Sequence, residues 1–386
     1  MSIYLGKKVD VLMDQRRTVM YLLVASTLLV AAAVLIMRVQ SDQNHRYRLQ
    51  GNESPLLRFV VEHLMDPSGG IYTNLRDDLA LMPDMAGNHQ MLSESTGLMM
   101  EYALRTNRQA LFDTQVDFLR KRLMTRGGNI RWVYEEDGPY RNVHVNAAID
   151  DLKIIAALLE ASERWSDRGY GKLADRLAGV LYRQGTTGDL IPDYYDWRYG
   201  ELADEITSSY LELGALGKLA ERYPEWRPIL DRARSLLESA RLPGGLFLKT
   251  YRISEGRWIG QDSFNMIDVL YAAGHLAAAG IGIPDTLDMV ERKWREDGLL
   301  AAAYDREWRT VDEGISPAVY ALAYRLLADD GRTDTAEAIL TAMHGLSVRD
   351  EGSPWYGGFV EPDTLEAYSF DHLQGLLAES AMKSER

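Results

Sequence analysis

Short polar motifs recur along this chain roughly every 50 to 60 residues, each opening an Ala/Leu-rich helical pattern. They are Glu94 in S-E-S-T-G, Asp150 and Asp151 in N-A-A-I-D-D-L, and Ser208 to Tyr210 in S-S-Y. Asp262 to Asn265 in D-S-F-N, Ser316 in I-S-P-A and Asp363 in P-D-T-L-E-A-Y follow. A second, more polar helix lies between successive motifs. Self-similarity at this period points to a repeat architecture. Six helical hairpins can close into a ring with the six apolar helices inside. The starts of those helices then share one face, and their acidic residues converge on one cleft.

From Ser54 onward the pattern is nearly all helix, and Ser54-Pro55 reads as an N-cap followed by Pro at the first helical position. Helices are expected at 54–66, 89–106, 108–124, 146–164, 170–184, 204–222, 225–240, 262–279, 284–296, 316–328, 332–344 and 362–381. Turns inside a hairpin are short, while connections into the apolar helices are long and aromatic. Long ordered loops on a rigid scaffold usually carry function, and some of these are expected to pair as short β-hairpins over one mouth.

Composition narrows the class. The 386 residues are 46% hydrophobic, enough for a sizeable core. A net charge of −14 argues against nucleic acid, which needs a basic footprint. There is no cysteine, so disulfides, thiolate catalysis and Cys-ligated metals are excluded. The seven His are scattered without metal-ligand spacing, and the chain shows no Walker loop, no G-x-S-x-G and no dinucleotide fingerprint. No metal or cofactor is expected.

Thr18 to Met37 is an uncharged run bracketed by Arg17 and Arg38, long enough for a bilayer-spanning helix. Lys7, Lys8, Arg16 and Arg17 precede it, which favours a cytoplasmic N-terminus. The expected division is a cytoplasmic segment at 1–17, a retained transmembrane signal anchor at 18–37, a linker at 38–53 and the helical domain at 54–386. The domain then lies outside the cell membrane in a single-pass topology.

Several residues could carry chemistry. Glu94 reads either as a general acid in a partly apolar cleft or as a first-turn Glu favoured by the helix dipole. Asp150 and Asp151 start the next apolar helix, where one could face the cleft while the other caps the helix. Asp262 and Asn265 hold the same place further on, with Asp268 one turn deeper. The long loops carry Trp132, Tyr134, Tyr194, Tyr195, Trp197, Tyr199, Trp258, Trp308, Trp355 and Tyr356, interleaved with Arg131, Asp193, Asp196 and Arg198. Such rings stack on the apolar faces of sugars, or they pin loops to the core.

At this point the chain resembles glycoside hydrolase family 8, inverting enzymes built as an all-α (α/α)6 barrel, over about 54–377. S-E-S-T-G-L-M-M-E-Y-A-L at 93–104 resembles the family segment bearing the general acid, which maps to Glu94. W-V-Y-E-E-D-G and N-A-A-I-D-D-L-K-I-I-A-A-L-L at 132–159 resemble its Trp and Asp-rich helix start, S-S-Y at 208–210 its Ser-Tyr opening, and F-N-M-I-D-V-L-Y at 264–271 its base-bearing segment. Two departures stand out. The family's first Asp falls on Ile149, with Asp150 one residue later, a rotation of about 100° on a helix. The usual base position holds Asn265, which cannot take a proton, as in some family members. Asp262, Asp193 and Asp268 are the candidate bases, in that order.

The resemblance is nearest to divergent membrane-anchored members linked to bacterial exopolysaccharide. It implies a polysaccharide substrate, sugar contacts from Trp132, Tyr134, Tyr194, Trp197, Tyr210 and Trp355, and association with exopolysaccharide synthesis machinery. Two rivals stand beside it. One is a catalytically inactive glycan-binding or scaffolding subunit of a secretion system, favoured by Asn265. The other is a lyase or epimerase on the same barrel, which would show Tyr/His, Tyr/Arg or paired His at the cleft.

Overall fold

Seven consecutive residues, Ala318 to Tyr324, are buried in one helix, so that helix has protein on every side rather than along one stripe. Ser95 to Met100 and Ile154 to Leu159 are buried without a break in the same way. By contrast, the helix Arg227–Ser239 buries only Ile229, Ala233, Leu236 and Leu237, the i, i+4, i+7, i+8 stripe of a helix that faces water. Two concentric layers follow from these two patterns.

The computed structural model describes residues 47–49, 51–80, 86–361 and 363–381. Within them run α1 (Pro55–Phe59, continued by a π turn at Val60–Leu64), α2 (Ser93–Arg105) and α3 (Gln109–Phe118). Then come α4 (Ala148–Arg164), α5 (Arg168–Gln184), α6 (Leu213–Arg222), α7 (Arg227–Ser239) and α8 (Met266–Ala278). The last four are α9 (Pro284–Asp297), α10 (Pro317–Asp329), α11 (Thr333–Gly345) and α12 (Ser369–Ala381). Helix α2 packs on α4, α4 on α6, α6 on α8, α8 on α10, α10 on α12, and α12 back on α2. The even-numbered helices thus close the inner ring. The outer helices α3, α5, α7 and α11 each cover the inner helix preceding them, and α1 covers α12. The sixth hairpin therefore joins the two ends of the domain.

That joint has a built lock. Gly357, at φ +86°, passes so close to Pro55 that an added Cβ would meet its backbone. His372 of α12 is fully buried. Its Nε2 accepts from the Phe359 N–H at 2.9 Å, its Nδ1 lies 2.7 Å from the Tyr368 carbonyl, and its ring stacks on Phe59 at 4.8 Å. Burial pushes His372 down from 6.5 to about 4. Its folded value is below its unfolded one, so its contribution is complete above pH 6.5 and is lost as pH falls towards 4, up to about 3 kcal/mol. Urea unfolding of wild type and His372→Gln at pH 7, 5 and 4 checks this. The gap between the two proteins is expected to narrow as pH falls, and an unchanged gap would remove His372 from the acid lability.

The ten strands among the described residues are short and lie in the connections before inner helices, which sets them at one mouth. β1 (Met91–Leu92) pairs with β2 (Val133–Tyr134), and β3 (Tyr195–Asp196) with β4 (Glu201–Leu202), all antiparallel. β5 (Glu205–Thr207), β6 (Thr250–Arg252) and β7 (Arg257–Trp258) form one sheet. β8 (Phe264–Asn265), β9 (Ala303–Tyr304) and β10 (Thr310–Asp312) form another. Neighbouring connections are thereby stitched together around the rim.

Four expected helices start later than read: those at 89 and 262 by four residues, where β1 and β8 pair instead, and two by more. The stretch 204–212 becomes β5 and a 3₁₀ turn, Ser208–Tyr210, because its backbone pairs with β6. The last helix begins at Ser369 rather than 362, since Asn74 bridges Tyr368 and accepts from the Ala367 N–H. The segments 1–17 and 18–37 lie outside the described residues. Among the described residues, no helix is long and apolar enough to cross a membrane. Part of the expected linker is anchored: Tyr47 is buried, and Arg108 grips both oxygens of the buried Glu53 while donating to Tyr47 Oη.

Candidate active site

Three inner-helix starts and one loop bring four carboxylates around one phenol. Tyr210 ends the 3₁₀ turn before α6, and its hydroxyl is pushed up by burial and by the charges of Asp150, Asp193, Glu94 and Asp268. Like charges so gathered in a desolvated mouth are a site feature rather than a stability feature.

Glu94 sits in the first turn of α2. Among the described residues no hydrogen bond or ion pair holds its carboxyl. Burial and the neighbouring Asp150 push it up from 4.5 to about 7, and Lys153 pulls the other way. Asp150, in the first turn of α4, accepts from Ser93 Oγ at 2.5 Å and from the Glu94 amide. Burial nevertheless raises it to about 6. Despite the one-residue step from Ile149, Asp150 thus sits against the turn that carries Glu94. Asp151 does not: it turns to the outer layer, accepts from Asn146 Nδ2 at 2.8 Å, and is strongly raised by burial.

Asp193 comes from the loop after α5, whose carbonyl holds the Ala148 N–H at the start of α4. Thr207 of β5 donates to both its oxygens, N–H to Oδ1 at 2.7 Å and Oγ1 to Oδ2 at 2.6 Å. Burial still pushes Asp193 up from 3.8 to about 6. Asp268 on α8 accepts from Ser209 Oγ at 2.7 Å and pairs with Lys249 Nζ at 2.8 Å. Its carboxylate is therefore already paired. Asp262, ranked first among the candidate bases, is exposed, and among the described residues nothing fixes its carboxylate. Asn265 is an N-cap: its Oδ1 accepts from the Ile267 and Asp268 amides at 2.9 and 3.4 Å.

The aromatic residues divide by packing. Tyr134 and Trp355 lean on the core, Tyr134 edge-on to Phe118 and Trp355 edge-on to His63. Trp308 is buried and donates to the Gly244 carbonyl at 3.0 Å. These are loop anchors. Trp132 and Trp197 are half-buried, their rings meeting the loop rings of Tyr140 and His144, while Tyr194 is 42% exposed. Those three remain available to a ligand.

Sequence reasoning missed Thr207, Ser93 and Asp371. Asp371 accepts from Ser316 Oγ at 2.7 Å and from the Ala318 N–H at 2.9 Å, so it caps α10 from the neighbouring helix. Ser316 and Asp371 each carry a local signal, a cap and a first-turn acid, but nothing local pairs them. Among the described residues no His/Asp/Glu cluster has the geometry to hold a metal ion.

The description Glycosyl hydrolases family 8 matches residues 81–245, a stretch that holds Glu94, Asp150, Asp193 and Tyr210. Over that stretch the chain is similar to glycosyl hydrolases family 8. The protein YdaJ of Bacillus subtilis (strain 168) is 28% identical over 320 residues, covering 82% of this chain and 86% of YdaJ. A structure described as a novel alpha-amylase from Clostridium perfringens is 26% identical, with a TM-score of 0.79 over 86% of this chain and 99% of that one. The endoglucanase Cel10 from Klebsiella pneumoniae, a family 8 glycosyl hydrolase, superposes with a TM-score of 0.60 at 17% identity, over 86% and 99% of the two chains. That last likeness shows the shared fold alone.

Proposed function

We propose that this protein is an inverting glycoside hydrolase, tethered to the bacterial membrane by residues 18–37, whose domain outside the cell cleaves an exopolysaccharide. The observation that carries the reading is the pair Glu94 and Asp193. Both are desolvated carboxyls at one mouth, raised to about 7 and about 6, and among the described residues no hydrogen bond or ion pair holds the Glu94 carboxyl. Glu94 protonates the leaving glycosidic oxygen. Asp193 takes a proton from the water that attacks the anomeric carbon from the other face. Inversion needs the two carboxyls roughly 6.5–9.5 Å apart, to leave room for that water. Asp193 replaces Asp262 as the favoured base because Thr207 fixes its geometry and burial raises its basicity. Trp132, Trp197 and Tyr194 supply stacking faces along the rim.

The uncharged run at 18–37 and the basic residues before it support the topology. The rival reading, a glycan-binding subunit without catalysis, draws on Asn265, whose side chain is committed to capping α8. The deciding assay is release of reducing ends from the producing cell's own exopolysaccharide. Release by wild type is the expected result. Measurable glycan binding without release would establish the rival.

A further inference from the structure

The barrel axis holds a cation that the reaction above does not use. Lys153 stands three residues after Asp150 on α4, hence on the same face one turn deeper. Its ammonium lies 3.3 Å from Tyr271 Oη and 4.3 Å from that ring's centroid on α8. Gln374 of α12 donates to the same hydroxyl at 2.6 Å, so the phenol is fixed from two sides. Among the described residues Lys153 has no ion pair. A cavity of about 910 Å³ opens on its far side and runs to the C-terminal ends of the inner helices, past Glu160, Lys218 and Asp329.

Most of the charges in that cavity are already matched. Glu101 of α2 pairs with Arg105 at 2.9 Å and with Arg325 of α10 at 3.3 Å. Glu212, just before α6, pairs with His275 of α8 at 3.2 Å. Glu160 and Lys218 pair at 2.5 Å. The carboxyls that neighbour Lys153 with no cation of their own are Glu94 and Asp150, both at the catalytic mouth.

We propose that Lys153 is a positioning residue for the hydrolysis, the single counter-charge shared by Glu94 and Asp150, which sets how readily Glu94 releases its proton. This rests on the glycosidase reading above. A lone buried ammonium normally loses its proton. Here burial opposes the charge, but Tyr271, Glu212 and Glu101 together raise Lys153, so it stays cationic. A fixed cation one turn below two carboxyls favours their ionised forms, while Asp150 acts on Glu94 with the opposite sign. Lys153 and Asp150 thus bracket the acid from two sides.

The test needs no substrate. The protonation midpoint of Glu94 is read in the full-length protein by infrared difference spectroscopy across pH, its carboxyl band being the one lost in Glu94→Gln. Lys153→Met, nearly isosteric, is expected to move the midpoint up by about one pH unit, a tenfold change in proton affinity. Asp150→Asn is expected to move it down, and Lys153→Arg to leave it near wild type. In turnover, Lys153→Met shifts the alkaline limb upward and leaves the acid limb of Asp193 in place, a split that packing damage would not produce. If Lys153→Met does not fold, Tyr271→Phe, which keeps the ring and releases both the ammonium and the Gln374 amide, is expected to give a smaller shift of the same sign. An unmoved Glu94 midpoint in the folded variant overturns the proposal. A wild type that cleaves nothing overturns the glycosidase reading instead, and leaves the midpoint measurement standing on its own.

Discussion

Glu94→Gln is expected to lower turnover about a hundred- to ten-thousandfold, the usual contribution of a positioned general acid, without unfolding the barrel. Gln keeps the shape of Glu94 and removes the proton it would give to the leaving oxygen. No partner is broken, since among the described residues the Glu94 carboxyl makes no hydrogen bond or ion pair. The variant should even gain stability at alkaline pH. Glu94 has a folded value near 7, above its unfolded 4.5. Its contribution is fully present below pH 4.5 and is lost as pH rises through 7, a cost of about 1–3 kcal/mol once the group is ionised in the fold. Removing the charge removes that cost. Melting temperatures of the two proteins should coincide at pH 4.5 and separate at pH 8, with the variant higher. Reducing-end release at pH 6.5 measures the catalytic half. Wild-type turnover in the variant would take the acid role away from Glu94.

The twelve helices were legible because each carries its own signals. The outer ones show an apolar stripe, the inner ones an unbroken run of small and branched residues, and Ser54, Pro317 and Asn265 mark starts locally. Where the reading slipped, a long-range partner had decided the backbone. Residues 205–207 extend because β6 lies beside them, and 367–368 stay out of α12 because Asn74 claims their backbone.

The site divides in the same way. Glu94, Asp150 and Tyr210 open inner helices, and the ring brings every such start to one mouth. The choice between Asp150 and Asp151 was not legible, because it depends on which side of α4 meets α5. Lys153 reads in sequence as an ordinary charge in a helix, and only the closed ring turns it towards the axis. The base was misjudged for a related reason. Asp262 lies close to Asn265 in sequence, but proximity in sequence gives it neither burial nor a partner. Asp193, some seventy residues earlier, obtains both from Thr207.

Asp193→Asn is accordingly expected to lower turnover about as far as Glu94→Gln, by about a hundred- to ten-thousandfold, while Asp262→Asn changes it by about twofold or less. The Asn variant can satisfy its surroundings: Oδ1 still accepts from the Thr207 N–H, and Nδ2 can donate to Thr207 Oγ1, which turns from donor to acceptor. Loss of activity would then report loss of a proton acceptor rather than a collapsed loop. The pH profile gives a second, independent reading. A base near 6 and an acid near 7 predict a narrow bell, with activity rising through pH 6 as Asp193 ionises and falling above pH 7 as Glu94 does. In Asp193→Asn the residual activity should keep the alkaline fall and lose the acid rise. Measuring kcat from pH 4.5 to 9 on the exopolysaccharide for wild type, Asp193→Asn and Asp262→Asn separates the candidates. Should Asp262→Asn lose the acid limb while Asp193→Asn keeps it, the base is the exposed carboxylate, and Asp193 only ties the α5–β5 loop to the start of α4.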